Sequence, residues 1–220
     1  MSANMINMLV KSLGETCYMV MIAAVLATLI GLPLGIILTV TRPGHILENT
    51  GINHILGAIV NAVRSTPFII LMVAIIPLTR IIVGTSIGTT AAIVPLTISA
   101  APYIARIIES SLLEVDPGVI EAAQSVGASP FQIIWKVLIP EALHSIVLGV
   151  TLAMISLIGA SAMAGALGGG GLGDLAIRYG YQRFQADTMI ATVIVLIALV
   201  QIVQSLGNRI SAKLNKNKLN

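Results

Sequence analysis

Twenty-three consecutive residues, Tyr18 to Val40, contain no charged side chain. As a helix, such a run can cross a hydrocarbon layer about 30 Å thick. A secretory leader would be shorter, with basic residues before it and a small-residue cleavage site after it, so the run is read as a retained membrane helix. Five apolar stretches of this kind follow one another, at about 17–40, 57–79, 86–107, 143–167 and 187–207. Each is near the roughly 20 residues that a spanning helix needs. The chain is 56% hydrophobic and only 10% charged, more apolar than a soluble core requires. With aromatics at 4% and Gly and Ala abundant, the helices are expected to pack through small residues rather than large rings. The fold class is therefore all-α, a polytopic membrane protein with five transmembrane helices.

Charge placement supplies an orientation. Four of the twelve basic residues, Arg209, Lys213, Lys216 and Lys218, fall in the last twelve positions. This segment, 208–220, is read as a basic cytoplasmic tail. Five crossings then put the N-terminus outside and residues 108–142 in the cytoplasm. Arg42, Arg106, Lys136 and the tail lie inside, against Lys11, Arg80, Arg178 and Arg183 outside. The net charge of +3 does not indicate nucleic acid, because no basic groove with interleaved aromatics accompanies it. Arg64 and Arg106, inside or near the end of predicted spans, are expected at a water interface, with Arg64 anchoring the membrane edge. Pro67, Pro95 and Pro102 are expected to kink their spans. Cys17, the single cysteine, cannot form an intrachain disulfide and is read as packing. His45, His54 and His144 are too scattered for a metal site and are expected as satisfied polar or interfacial groups.

Residues 108–142 form the only long polar interval, and they are punctuated as two short helices around a tight turn. Asp116-Pro117 is a start signal, Gly127 a left-handed stop, and Ser129-Pro130 a second start, with the second helix expected to end at Pro140. Val119, Ala122, Ala123 and Val126 share one helical face, and Phe131, Ile134, Trp135 and Leu138 share the next. These faces either pack back on the chain's own spans or bury against another subunit, and the pattern leaves both open.

Glu121-Ala122-Ala123, three residues, Gly127, nine residues, then Val137-Leu138-Ile139-Pro140 resembles the "EAA" pattern of binding-protein-dependent ABC importer permeases. The usual isoleucine and leucine near its end are replaced by Val137 and Ile139, which keep the apolar character. Arg64-Ser65-Thr66-Pro67-Phe68, Ile93-Val94-Pro95-Leu96-Thr97 and Gly168 to Gly173 resemble the methionine-import branch of that family. The resemblance covers about 12–207, the expected permease domain, with a cytoplasmic two-helix coupling loop at 116–140. It implies a homodimer in a bacterial inner membrane, with helix one peripheral and helices two to five around a path at the dimer axis. It further implies two partner ATPase subunits, an extracytoplasmic substrate-binding lipoprotein, methionine or a related amino acid as cargo, alternating access, and no cofactor or metal. Glu121, Ala122, Ala123, Gly127 and Pro140 are then the residues expected to couple to the ATPase. The alanines let a partner approach closely and Glu121 offers a charge to a basic residue there. Glu121 read alone is a carboxylate favoured near a helix N-terminus.

Gly165 and Gly168 to Gly171 close the fourth span, and Met163 just before them is the candidate gate residue. A plain helix end followed by a turn fits the same sequence. Two other classes share some of these features. Gly171-Leu172-Gly173-Asp174 spells the GxGD string of an intramembrane aspartyl protease, but Asp116 and Asp187 are not in apolar runs where a second carboxylate must sit. A stand-alone secondary transporter, which is the alternative reading, would show inverted repeats and intramembrane carboxylates, yet every acidic residue lies in or next to a predicted loop. No Gly precedes Lys, so no GxxxxGK[ST] phosphate loop exists. ATP hydrolysis would fall to another polypeptide, and the chain itself is expected to be no enzyme.

Overall fold

The computed structural model describes residues 3–216, and among these every regular element is helical. In order they are α1 (Ala3–Val40), α2 (Thr50–Ser65), α3 (Phe68–Ala74), α4 (Ile76–Val83), α5 (Thr89–Leu113), α6 (Pro117–Ser125) and α7 (Pro130–Ile133). A π turn, Ile134–Leu138, joins α7 to α8 (Ile139–Ala164), and another, Gly165–Gly169, follows it. Then come α9 (Gly171–Leu175), a π turn at Ala176–Tyr181, and α10 (Ala186–Lys216). The outer end of the basic tail, including Lys218, lies outside the described residues.

Four helical stretches are long and apolar enough to cross a membrane: Asn4–Val40, Thr89–Leu113, Pro130–Gly169 and Ala186–Asn215. The expected second span is different. The chain bends by 103° between α2 and α3. Pro67 has no N–H to give a helix and pushes Thr66 out of the α region, so α2 must stop and a new helix must start. The expected kink is a break, and the fold is all-α and polytopic, with four spans or five when the broken pair is counted as one.

The chain divides into two compact units, and α1, α5, α8 and α10 each lend one stretch to either of them. The first comprises Met1–Leu26, Thr66–Ala100 and Ala153–Ser205. Its core gathers Met5, Leu9, Leu172 and Leu175, with Met8, Tyr179 and Val195 packed around them. Gly173 lies against the backbone of Ala162, an approach that no side chain would permit.

The second unit comprises Ala27–Ser65, Ala101–Leu152 and Leu206–Asn220. Here the small-residue expectation takes a definite form. Gly31 and Gly35 lie one turn apart on α1, and a Cβ on them would sit 2.8 Å from the Ala101 carbonyl oxygen and 2.6 Å from that of Ala105. The glycines let α5 approach with both its backbone and the Ile104 and Ile108 side chains, in place of the side-chain interlock of a soluble core. α5 runs further than the sequence suggested and carries Glu109 inside it, buried, so the view that every carboxylate is loop-borne does not hold. Arg106 Nη1 donates to Glu109 Oε2 at 2.5 Å, while its Nη2 donates to the Gly57 carbonyl at 3.1 Å and to Asn61 Oδ1 at 3.0 Å. Arg42 stands 4.0 Å from Glu109. Arg106 therefore ties α2 to α5 rather than resting at a free interface. Arg64, exposed at the end of α2, lies 6.0 Å over the Tyr103 ring. His144 Nδ1 is 2.6 Å from Ser211 Oγ and links α8 to α10 as a satisfied polar group.

Candidate functional site: the 116–140 segment and the glycine corner

α6 is held at both ends by local chemistry. The Asp116 carboxylate accepts from the Gly118 N–H at 2.7 Å, and Pro117 occupies the first helical position, where its missing N–H costs nothing. At the other end Gly127 takes φ 79°, with its N–H donating to Gln124 O at 2.9 Å and the Ala128 N–H donating to Ala123 O at 3.1 Å. This is a left-handed helix stop of the kind the glycine suggested. Ser129 then opens the next helix with a reciprocal capping box. Its N–H donates to Gln132 Oε1 at 2.9 Å, and the Gln132 N–H donates to Ser129 Oγ at 3.3 Å.

The second helix does not end at Pro140. It continues from Pro130 through the π turn into α8, making one helix to Gly169 by the span criterion. Pro140 removes one ladder hydrogen bond, and the wider turn just before it absorbs the loss, with the Ile139 N–H donating to Ile134 O. The segment is therefore one short helix, α6, followed by a corner that leads directly into a spanning helix.

α6 has no buried residue. Glu121 and Ala122 are exposed and Ala123 is half-buried. Val126 is 83% exposed and Phe131 70% exposed, and Trp135 is also exposed, with its ring centroid 6.0 Å from that of Phe131. Ile133 and Leu138 are buried, and Ile134, Val137 and Ile139 are half-buried. The first of the two alternatives left open by the pattern thus holds in part. The second face packs back on the chain through Leu138 and partly through Ile134, whereas Val119 and Val126 on the first face and Phe131 and Trp135 on the second are left uncovered within the chain.

A cavity of about 290 Å³ adjoins α6, lined by Gly44, His45, Leu112, Pro117, Ile120 and Glu121 among others. His45 departs from expectation, since its Nδ1 is buried and has no hydrogen-bond partner among the described residues. Burial, and then the Arg42 charge, hold its pKa below the ordinary 6.5.

Within the other unit, Met163 is 44% exposed. After it the chain makes a π turn and then a corner at Gly168, Gly170 and Gly171, with φ of 92°, 80° and 76°. The sequence indicated a helix end, but the helical turns that follow at 171–181 went unanticipated. Asp174, the aspartate of the GxGD string, is ion-paired with Arg178 one turn further on. Among the described residues no group of three His, Cys, Asp or Glu side chains is placed to hold a metal. Sequence reasoning also missed Glu15 and Thr16 of α1. Glu15 Oε2 accepts from the Gly171 N–H at 2.8 Å and Thr16 Oγ1 from the Leu172 N–H at 2.9 Å.

Comparison with known proteins gives these features a context. Residues 31–216 match the family described as "Binding-protein-dependent transport system inner membrane component". The chain is 57% identical over 202 residues to the probable D-methionine transport system permease protein MetI of Vibrio cholerae serotype O1, covering 92% of this chain and 90% of that one. It is 52% identical over 165 residues to the D-methionine transport system permease protein MetI of Escherichia coli K12, covering 75% and 76%. Among solved structures, the MetNI methionine ABC transporter in inward-facing conformations aligns with a TM-score of 0.96 at 48% identity, over 97% of this chain and 99% of that one.

Proposed function

Because the chain belongs to the family of binding-protein-dependent transport system inner membrane components, we propose that it is the permease subunit of an ATP-binding-cassette importer and moves methionine, or a close relative, into the cytoplasm. The chain is a multi-pass membrane protein and carries the path rather than the ATP chemistry. Hydrolysis belongs to two partner ATPases. A second copy of the chain completes the permease, and an extracytoplasmic binding protein, a lipoprotein, delivers the cargo. Residues 12–207 form the permease domain and 116–140 its coupling element, with 208–220 a tail on the cytoplasmic side.

The observation that carries this reading is α6. Capped at both ends and buried nowhere, it presents Glu121, Ala122 and Ala123 to a partner. Closure of the ATPases pushes on α6. The corner at Gly127 passes that push to α7, and the helix running on past Pro140 delivers it to α8, rocking the subunit between inward-open and outward-open states. Met163 and the glycine corner form the outer gate. The likeness to inward-facing relatives supports reading the present arrangement as the one with that gate shut.

The test is reconstitution of the chain in vesicles with its ATPase and binding protein, followed by uptake of labelled methionine. Uptake that requires ATP is expected. Uptake unchanged by removing ATP would favour the secondary transporter, and a C-terminal tail labelled from outside intact cells would overturn the orientation.

A further inference from the structure

The glycine corner after Met163 has little of its own to hold it. Three of its residues have positive φ, the regular ladder is interrupted at Leu167 and Gly168, and Gly170, at the start of α9, has no side chain with which to cap it. One restraint comes from the start of α5, where the Gly88 N–H donates to the Gly168 carbonyl at 2.9 Å, and the helix that follows is held from 156 positions away. Consecutive residues of α1 satisfy consecutive N–H groups, Glu15 at Gly171 and Thr16 at Leu172. The first of these bonds is assisted by the carboxylate charge. The fit is close as well as polar. A Cβ on Gly170 would lie 3.1 Å from Glu15 Oε2, and one on Gly171 would lie 2.6 Å from Thr16 Oγ1 and 2.9 Å from Met19 Cε. Thr16 and Met19 are buried, whereas Tyr18, Met21 and Val25 on the same helix are exposed. The inward face of α1 is thus built against the corner at Thr16 and Met19.

We infer that Glu15 and Thr16 are positioning residues of the outer gate, and that α1 thereby sets the closed geometry of 165–172 and the placement of Met163. The inference rests on the gate reading given above. It assigns to α1, the helix expected at the periphery, a direct part in closing the path.

The test uses the complete complex, with Met163→Cys in a Cys17→Ser background, and follows the rate of thiol labelling from the binding-protein side with and without ATP. In the ATP-free state, Glu15→Ala and Thr16→Val each speed labelling about fivefold, the effect of losing one helix cap. Uptake per ATP hydrolysed falls in parallel. Glu15→Gln keeps an acceptor oxygen at the same reach and stays within about twofold of the parent. A residue that merely stabilised the fold would lower the yield of complex without this rescue and without changing labelling. Unchanged labelling in both Glu15→Ala and Thr16→Val, in a parent that responds to ATP, overturns the inference alone. A Glu15→Gln protein as open as Glu15→Ala overturns it too, by removing the hydrogen bond as the cause. Labelling of the parent that ignores ATP removes the gate reading, and the inference falls with it.

Discussion

Replacement of Gly127 by a graded series of residues tests the proposed lever directly. The glycine has φ 79°, and a Cβ built there would meet no atom within 4 Å, so space is not at issue. The whole cost lies in the dihedral angle, about 1–2 kcal/mol for an ordinary L-residue, larger for a β-branched one and smaller for Asn. That shifts the corner's population about 5- to 30-fold toward other conformations. In those conformations the hydrogen bonds from Gly127 to Gln124 and from Ala128 to Ala123 are lost, and α6 no longer holds its angle to α7. Because α6 buries nothing, the rest of the subunit is not disturbed. Gly127→Val should therefore insert, dimerise and melt like the parent but lose ATPase association or ATP-driven uptake. Gly127→Ala should be intermediate and Gly127→Asn nearly normal. Pull-down of the ATPase, uptake and thermal unfolding are measured on the same preparations. Full coupling in Gly127→Val would show that the corner is not the transmission element, and Asn performing as badly as Val would show that the dihedral angle is not the cause.

Glu121→Ala should weaken ATPase binding by about fivefold or less, since one exposed ion pair contributes about 1 kcal/mol or less, and added salt should narrow the difference; a binding titration at two ionic strengths checks it. Gly35→Ala should lower thermal stability by about 1–3 kcal/mol, because its Cβ must displace the α5 backbone, whereas Gly14→Ala on the same helix meets nothing within 4 Å and should be neutral or better. For His45, whose folded pKa lies below 6.5, the stabilising contribution is complete above 6.5 and is lost as pH falls from there through the lowered value, because the unfolded chain takes up the proton first. His45→Gln should flatten the pH dependence of melting as pH falls below 6.5, and an unchanged slope would remove His45 as its source.

Much of the fold was legible because lipid simplifies the rules. Backbone groups must bond within their own segment, so apolar length alone located α1, α5, α8 and α10. The corner was legible for a different reason. Asp116-Pro117, Gly127 and Ser129-Pro130 are local signals whose partners lie within a few residues, and each forms as its residue type requires. For the second span the apolar length was legible and its continuity was not, because two signals conflicted. Residues 57–79 are apolar enough to cross, Pro67 forbids one continuous helix, and nothing local says by how much the chain turns. Pro140 failed in the opposite sense, as a stop signal overridden by a wider turn upstream.

What stayed hidden were the polar contacts of long reach, though two of them left a trace. By sequence Glu109 falls in the polar interval, yet Arg106 three residues earlier is the spacing at which helical side chains meet. A charge pair at that spacing next to an apolar run permits the helix to continue, because a paired carboxylate can be buried where a lone one cannot. Glu15 left a fainter trace, and it lies at the other end of the contact. A helix beginning at Gly171 has no Ser, Thr, Asp or Asn before it, only glycine, so its first N–H groups need acceptors from elsewhere. In a chain with so few polar side chains near its spans, Glu15 is a natural source, because Lys11 one turn earlier stands 3.9 Å from Oε1 and Oε2 is the oxygen that reaches Gly171. The missing local cap and the second oxygen of Glu15 are therefore complementary, although only the fold says that they meet.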